Sequence, residues 1–592
     1  MTDNLPESFS CLHVPFVAKR LKGGTVVWLS EEMIAAAQQD EAVARAQFID
    51  RFGYMIPGGV TFDELEFDLA SSREMMAERY GGSGIGVNGG GARCGNLDGY
   101  QIKGNGQNLL AGLGPDVGHS YGGFKALYAV YEAISSAVLN MISPVGVAEV
   151  HGVFLTGPTA AYHGGENRAW GGVMVREIVL RPAHFLRASN FVPMKSVFSV
   201  ASDVGRVRAA NKQIFNHVGG RGGCVNLLAT FLRNSANQFA FARMARVMHG
   251  AVSPSNICLD GRWIDLTNTT FLGAAENLGG GNRMSPSFYE ELNAPLKIGR
   301  ELANSLSKFN GINLNFEPLV GYYQSCLSLS LRYHLTFVLG LDPARYELSE
   351  VADQQVLTDF VVKILSNAPT TYDRWPTELK FDDPVLLLID VLYRDFNRIE
   401  RCSATLERLY GQSAGDAARL SHAFRRLIFS TVEKDQGIDN HSGMCGHVVK
   451  AFVIAMRRTM FSAFYYKGRV EENIGMLLDG NRINELEDFI YECIESAEWV
   501  FDYDGDDIVI VRSDNVDIHF ACAENRIFIR NKISNIEKKY ALDGKDGVIA
   551  ALWETPIRCC GVDIRNHVTH IVNGILDIYD SFGGEHANIT QR

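Results

Sequence analysis

The spacing of apolar residues changes along the chain, and each change predicts an element. The apolar run Thr25–Leu29 (TVVWL) reads as a buried strand. It passes into SEEMIAAAQ, where Ser30 can cap a helix whose first turn carries Glu31 and Glu32. A second helix is expected over Glu41–Phe52, while Phe62–Arg79 reads as mixed helix and loop. Tyr100–Lys103 is a short strand, and Phe124–Ile142 recurs at helical spacing with Glu132 as its only acid. Val150–Gly172 reads as two strands around a loop, followed by helices over Met194–Val218 and Leu227–Met248. From Val356 to Tyr465 the apolar residues keep helical core spacing, with breaks at Pro369, Pro376 and Pro384. The later run DIVIVRSDNVDIHFACAENRIFIRN alternates with period two and predicts an antiparallel meander. The end of the chain therefore reads as a small α+β module.

Composition narrows the class. At 592 residues the chain exceeds what one hydrophobic core sustains, which predicts two or three domains. An apolar share of 46% and a charged share of 21% are those of a globular protein. A net charge of −12 argues against nucleic acid or an anionic membrane as the main partner, while leaving room for local basic pockets. The opening MTDNLPESFSCLH carries no basic segment followed by an apolar core, and no apolar run is long enough to span a bilayer. The 11 cysteines form no C-x-x-C pair, and Cys559-Cys560 is the only adjacent pair. A cytoplasmic chain with reduced thiols is the expectation.

Candidate chemistry begins at Tyr80–Gly91 (YGGSGIGVNGGG), where seven of twelve residues are glycine. Gly84, Gly86 and Gly89 set a G-x-G-x-x-G pattern. A dinucleotide loop needs a helix directly after it, but GARCGNLDGYQIKG reads as turn then strand. A kinase-type loop needs flanking strands and a lysine on the next strand, a requirement that Lys103 meets. Bare glycines let N–H groups approach phosphate oxygens, and a lysine adds charge to the same oxygens. A Gly-rich surface loop beside an ordinary strand lysine would give the same string. Glu132 would be costly to bury alone, so Lys103 is its natural partner unless the acid faces water. Arg176, Arg181 and Arg187 cluster where acids are scarce, which suits polyphosphate charge or a solvated face.

Met248–Asp265 (MHGAVSPSNICLDGRWID) runs from a His-Gly turn to Asn256, then through a short hairpin turning at Gly261 to Asp265. An amide oxygen and a carboxylate on adjacent strand ends are hard ligands that Mg²⁺ accepts alongside waters and phosphates. Protein kinases hold their metals with such a pair. A solvated hairpin is the plain alternative. His441, Cys445 and His447 fit no zinc signature and read as a loop leading into a helix, and His567 and His570 are read the same way. DYDGDD (Asp502–Asp507) has its glycine misplaced for a calcium loop and reads as a turn into strands.

In order and spacing, these segments resemble the selenoprotein O family, kinase-fold enzymes that transfer AMP rather than phosphate. VVWLSEEMIAAA, YGGSGIG, QIKGNG, LRPAHFLRAS and HGAVSPSN with Asp265 are similar in turn to the family's LSEELA, YGGHQFG, LQLKGAG, TRVAPSFIRFG and HGVMNTDN-(8)-D segments. MSPSFYEELNAPLKIGRELANSL and LRYHLTFVLGL resemble later ones, so the likeness extends from Thr25 to Leu341. It implies an α+β, protein-kinase-like two-lobed fold. Residues 1–190 would form a mixed N-lobe with the Gly-rich loop, 191–490 a mainly helical C-lobe, and 491–592 a C-terminal α+β module for acceptor recognition or partner docking. The resemblance implies Lys103 and Glu132 as an ion pair, Asn256 and Asp265 as Mg²⁺ ligands, and the glycines with Lys103 over ATP. Arg187 would hold ATP phosphates, Arg181 or Arg176 would be a second family arginine, and Arg93 would match the arginine after the glycines.

The departures matter as much. The Lys-to-Glu spacing is longer than the family's, Asp265-Leu266-Thr267 stands where the family has Asp-Tyr-Gly, and no C-terminal redox cysteine is matched. Ser255 occupies the position of the family's candidate general base, an aspartate. An alcohol acceptor must lose a proton during attack, whereas a carboxylate is already ionised. Three functions follow as expectations. The first is Mg-ATP-dependent AMP transfer to a protein hydroxyl or to a peptide C-terminal carboxylate, the latter as in the microcin-type peptide maturation to which the resemblance extends. The second is a nucleotide-binding pseudokinase subunit that positions a partner modifying enzyme. The third, a conventional kinase, is the one Ser255 disfavours most.

Overall fold

The strand expected at Thr25–Leu29 joins seven others in one antiparallel sheet. The structure, a computed structural model, describes residues 9–583 except 38–39, 59–64, 115–119, 163–167, 195–199, 201–202, 274, 281–284, 347–349, 373–378, 433–440, 503–506, 514, 522–523, 525 and 543–544. The strands of the sheet are β1 (His13–Leu21), β2 (Thr25–Leu29), β3 (Tyr54–Met55), β4 (Phe67–Glu78), β5 (Cys94–Leu97), β6 (Tyr100–Lys103), β7 (Val150–Tyr162) and β8 (Arg168–Glu177). Their order is β2-β7-β8-β6-β5-β4-β1-β3. Helices α1 (Glu31–Ala36) and α2 (Glu41–Phe52) follow β2, and their caps are local. Ser30 Oγ accepts from Met33 N–H, and Asp40 Oδ1 accepts from Val43 N–H.

Helix α3 (Ala126–Ile142) lies on β7 and β8 and is buried along most of its length, as its apolar composition requires. The helical part then follows with α4 (Asp203–His217), α5 (Arg221–Ala245), α6 (Ala294–Asn310), α7 (Glu317–Leu339), α8 (Pro343–Tyr346), α9 (Val351–Ile364), α10 (Pro384–Arg394), α11 (Ile399–Tyr410), α12 (Ala414–Val432), α13 (His441–Phe464), α14 (Lys467–Asp479) and α15 (Ile483–Phe501). Short strand pairs punctuate it: β9 (Val247–Met248) with β10 (Thr270–Phe271), and β11 (Asn277–Leu278) with β12 (Thr370–Thr371). The expected meander is present as β13 (Asp507–Arg512), β14 (Val516–Ala521) and β15 (Arg526–Asn531), and a fourth strand beyond the alternating run, β16 (Ile536–Ala541), extends it, all paired in sequence. Helix α16 (Lys545–Glu554), the hairpin β17 (Arg558–Cys559) and β18 (Val562–Asp563), and helix α17 (Arg565–Ser581) complete the chain. The fold class is α+β, with helix outweighing strand. One cluster of buried apolar side chains runs from Phe9 to Phe582, so the C-terminal elements share their core with the helices before them. No described helix is long and apolar enough to cross a membrane.

Several expectations are corrected. Phe67–Glu78, expected as mixed helix and loop, is a long strand pairing with β1 over most of its length. Pairing and the burial of Met75 and Ala77 override a sequence rich in helix formers. Of the helix expected over Met194–Val218, the structure describes Asp203–His217; residues 195–199 and 201–202 lie outside the described residues, and Pro193 is held in an isolated bridge with Gly112. The helix expected over Leu227–Met248 starts earlier, at Arg221, and stops at Ala245, where Arg246 turns left-handed and releases β9. His441–His447 opens α13 instead of preceding it. Pro384 sits at the first position of α10, where its missing N–H costs nothing. Residues 503–506 of the acidic turn and Pro376 lie outside the described residues.

Candidate functional site

Register within the sheet sets the site. Gln101 and Lys103 share one face of β6. Gln101 is paired directly with Arg176 across β8, and Lys103 with Met174. Helix α3 crosses that face and brings in Glu132. Lys103 Nζ lies 3.0 Å from Glu132 Oε2, and Arg176 Nη1 lies 2.9 Å from Glu132 Oε1, so the lone acid of the helix is paired on both oxygens. Arg176 Nε and Nη2 donate to Gln101 Oε1 at 2.9 and 2.7 Å.

The Met248–Asp265 stretch folds back on itself beneath this face. Ile264 N–H donates to Asn256 O at 3.1 Å and Gly261, at φ +91°, makes the turn, so Asn256 and Asp265 end up side by side in the chain's pairing. Asp265 itself is left-handed at φ 61°, ψ 61°, an uncommon conformation that asparagine and aspartate tolerate best among side-chain-bearing residues. The turn directs its carboxylate toward the sheet, where Oδ1 accepts from Lys103 Nζ at 2.5 Å and Arg176 Nη1 at 2.9 Å. Oδ2 accepts from Arg181 Nη1 at 3.2 Å. Burial alone would raise the Asp265 pKa, but the charges of Arg176, Lys103 and Arg181 outweigh it and hold the carboxyl well below the usual carboxylate range. Burial likewise opposes the charge on Arg176, and Asp265 and Glu132 reverse that effect, so the guanidinium stays charged.

Residues without a sequence assignment brace this centre. Glu78, at the end of β4, accepts from Asn96 Nδ2 at 2.8 Å and Gln101 Nε2 at 2.9 Å. Burial would raise its pKa, yet its neighbours His184 and Arg181 and the hydrogen bond from Asn96 bring it down to about 2. His184 Nδ1 accepts from Arg181 N–H at 3.0 Å, and burial lowers its pKa, so the ring is neutral and its Nε2–H faces Glu78. His249 is also buried and shifted down by burial. Its Nδ1 accepts from Ala251 N–H, which leaves Nε2–H for Asn256 O at 3.2 Å. Glu291 clasps the His-Gly turn through Gly250 N–H at 2.7 Å and His249 N–H at 3.1 Å, and burial pushes its carboxyl up to about 8. Gln101 is not among the residues named from the sequence, yet it carries a signal there: it is two before Lys103 on a short strand and so shares its face. Glu78 carries none, because Phe67–Glu78 becomes a strand only by pairing with β1.

The Gly-rich loop spans β4 and β5 and closes over the same stretch. A Cβ on Gly84 would lie 2.5 Å from Ser253 Oγ and 3.0 Å from Ser255 Oγ, and one on Gly89 would meet the Phe191 ring at 2.6 Å. Gly84 and Gly86 have φ of +99° and +60°, which glycine alone adopts freely. Gly81 and Gly82 are pinned to Ala183 O and Arg187 O. Among the described residues, the N–H groups of Ser83, Gly84, Ile85, Gly86 and Val87 donate to no protein acceptor. Arg187 is exposed beside them, and its guanidinium pairs with no described residue. Arg181 reaches the centre, donating to Ser255 O at 2.9 Å and stacking on Tyr80 at 5.0 Å. Arg93 and Lys103 stack on the Phe124 ring at 4.9 and 4.7 Å.

The sequence-derived residues thus fall into two groups. Lys103, Glu132, Arg176, Arg181, Ser255, Asn256 and Asp265 meet in one connected network, while Gly84, Gly86, Gly89 and Arg187 form the loop beside it. Arg93 adjoins the network through Phe124. The oxygens expected to hold Mg²⁺ suit a hard cation: Asp265 Oδ2 accepts one hydrogen bond, and Asn256 Oδ1 accepts only the Ser255 hydroxyl at 3.1 Å. Each therefore keeps an acceptor position. No protein-family model matches this chain, and no curated protein matches it.

Proposed function

We propose that this chain is a Mg-ATP-dependent adenylyltransferase with a protein-kinase-like two-lobed arrangement, as its resemblance to selenoprotein O implies, acting on a peptide carboxylate. The observation that carries the reading is the joining of Lys103, Glu132 and Asp265 in a network that extends through Arg181 to Ser255, on which a loop crest of uncommitted N–H groups rests. Such a crest suits phosphate oxygens, and Arg187 adds an unpaired cation there. Asn256 and Asp265 would hold Mg²⁺, which when bound would withdraw charge from the phosphates. Lys103, kept in place by Glu132, would orient the same phosphates. The acceptor oxygen would bond to the α-phosphorus as the bond to the bridging oxygen breaks, with pyrophosphate leaving. A carboxylate brings no proton to remove, which accommodates Ser255 in place of an acid.

A second reading has its own support. Asp265 is shared by three cations and Ser255 offers no base, an arrangement also suited to a subunit that binds nucleotide and positions a partner enzyme. Incubation with Mg-ATP and peptides bearing free or amidated C-termini separates the two. The transferase releases pyrophosphate only with the free carboxylate; the binding subunit gains thermal stability with ATP and releases none. Ser255→Asp leaves the carboxylate reaction unchanged. Strong activation by that change toward hydroxyl acceptors would replace the carboxylate assignment, and ADP formation would replace AMP transfer altogether.

A further inference from the structure

A second cluster of reactive side chains lies apart from the Lys103 centre, where the β17–β18 hairpin docks on α15. The hairpin pairs Cys559 with Val562, so Cys560 and Gly561 form its two-residue turn, with φ of 50° and 73°. Turns of this shape prefer asparagine, aspartate or glycine at the position Cys560 holds. Cys560 breaks that preference while its side chain is fully buried, which points to a role for the thiol rather than for the turn. Ligand atoms of Glu492, Cys559 and Cys560 lie within 4.8 Å of one another. The Cys493 thiol, next to Glu492 on α15 and fully buried, adjoins Cys560 but lies outside that set of three, and Cys560 Sγ lies 3.6 Å from Ser496 Oγ. The backbone is already drawn in: Cys560 N–H donates to Glu492 Oε1 at 2.5 Å, and Asn473 Nδ2 donates to Cys560 O at 3.1 Å. None of the three thiols is in a disulfide. Adjacent cysteines resist one, because a trans peptide holds their Cα atoms closer than a disulfide spans.

We propose that Cys559, Cys560 and Glu492 bind one thiophilic divalent cation of the zinc class. Two sulfur donors and a carboxylate supply three of the four positions that Zn²⁺ favours, leaving the fourth to water. Each thiol that joins forms a sulfur–metal bond and gives its S–H proton to solvent, so full ligation by the two thiols releases two protons per ion, while the carboxylate releases none. Cys559, Cys560 and Cys493 are buried, whereas Glu492 is half-buried and opens the cluster to solvent. The ion would fasten the hairpin to α15, which itself packs on α3.

The test uses full-length protein kept reduced and titrated with Zn²⁺ and with Co²⁺. One equivalent of each is expected to bind, Co²⁺ with near-ultraviolet thiolate-to-metal absorption, and binding should tighten as pH rises because protons are released. Cys560→Ser and Glu492→Gln should weaken Zn²⁺ binding at least about 10-fold, the lower end of what even an outer-shell change costs. Cys224→Ser, in α5, should leave it unchanged. Absence of the cobalt–thiolate band in reduced wild-type protein overturns the proposal, and this readout stands even where a variant fails to fold. Equal Zn²⁺ affinity in Cys559→Ser/Cys560→Ser overturns it too, as does a Cys493–Cys560 disulfide persisting under the reducing conditions.

Discussion

The two halves of the candidate site differ in how far their polar groups are already committed. In the centre, every charge has its partner: Lys103, Arg176 and Arg181 share Glu132 and Asp265, and Gln101, itself fixed by Glu78, holds the guanidiniums in place. On the loop crest, five successive N–H groups and the Arg187 guanidinium have no partner among the described residues. Buried charges must be satisfied before any ligand arrives, or the fold would not tolerate them. Exposed donors can wait for a ligand, because water serves them meanwhile. The difference teaches which residues should change stability and which should change binding alone.

The strongest way to break this contrast is Lys103→Met. It strands an oxygen of buried Glu132 and removes one donor from Asp265, so stability should fall by about 3 kcal/mol and pyrophosphate release at least about 100-fold. Denaturant unfolding and turnover measure the two, and an unchanged midpoint would show that the centre is not committed. Acid titration comes next. The folded-state pKa of Glu78 is about 2, below its ordinary 4.5, so its contribution is complete above the ordinary value and disappears as pH falls through about 2. It should amount to something on the order of 3 kcal/mol. Comparing the pH dependence of unfolding in wild-type protein and Glu78→Gln isolates it, and identical acid limbs would exclude Glu78 as a brace.

Gly84→Ala sharpens the loop side. Its Cβ would press on Ser253 and Ser255 at a φ that suits glycine, so about 1–3 kcal/mol of strain is expected, with weaker ATP binding by calorimetry. Smallest in stability is Arg187→Ala. It should leave the unfolding midpoint within about 0.5 kcal/mol while weakening ATP about 10-fold, the loss of one charged hydrogen bond. If instead it destabilises the fold and leaves ATP affinity intact, the crest is structural.

Legibility followed the range of the interaction that fixes each residue. Glu132 was found because a single acid in an apolar helix needs a cation, and Lys103 was the cation on a neighbouring strand. Ser30, Gly261 and the β13–β15 alternation were found because caps, turns and pleat are local. Glu78 was missed because Phe67–Glu78 carries helix-forming residues and becomes a strand only by pairing with β1. The choice between Arg176 and Arg181 had no answer in spacing, since both reach Asp265.

By itself, then, the chain's sequence determined most of its helices, several of its strands and the residue types of the centre, because periodicity and the cost of burying charge act within a few residues. Only the tertiary structure decided that Asp265 faces three cations, that Gly84 rests on Ser253 and Ser255, and that Cys559 and Cys560 gather with Glu492. Those outcomes depend on segments far apart in the chain, and no local pattern records which of them will meet.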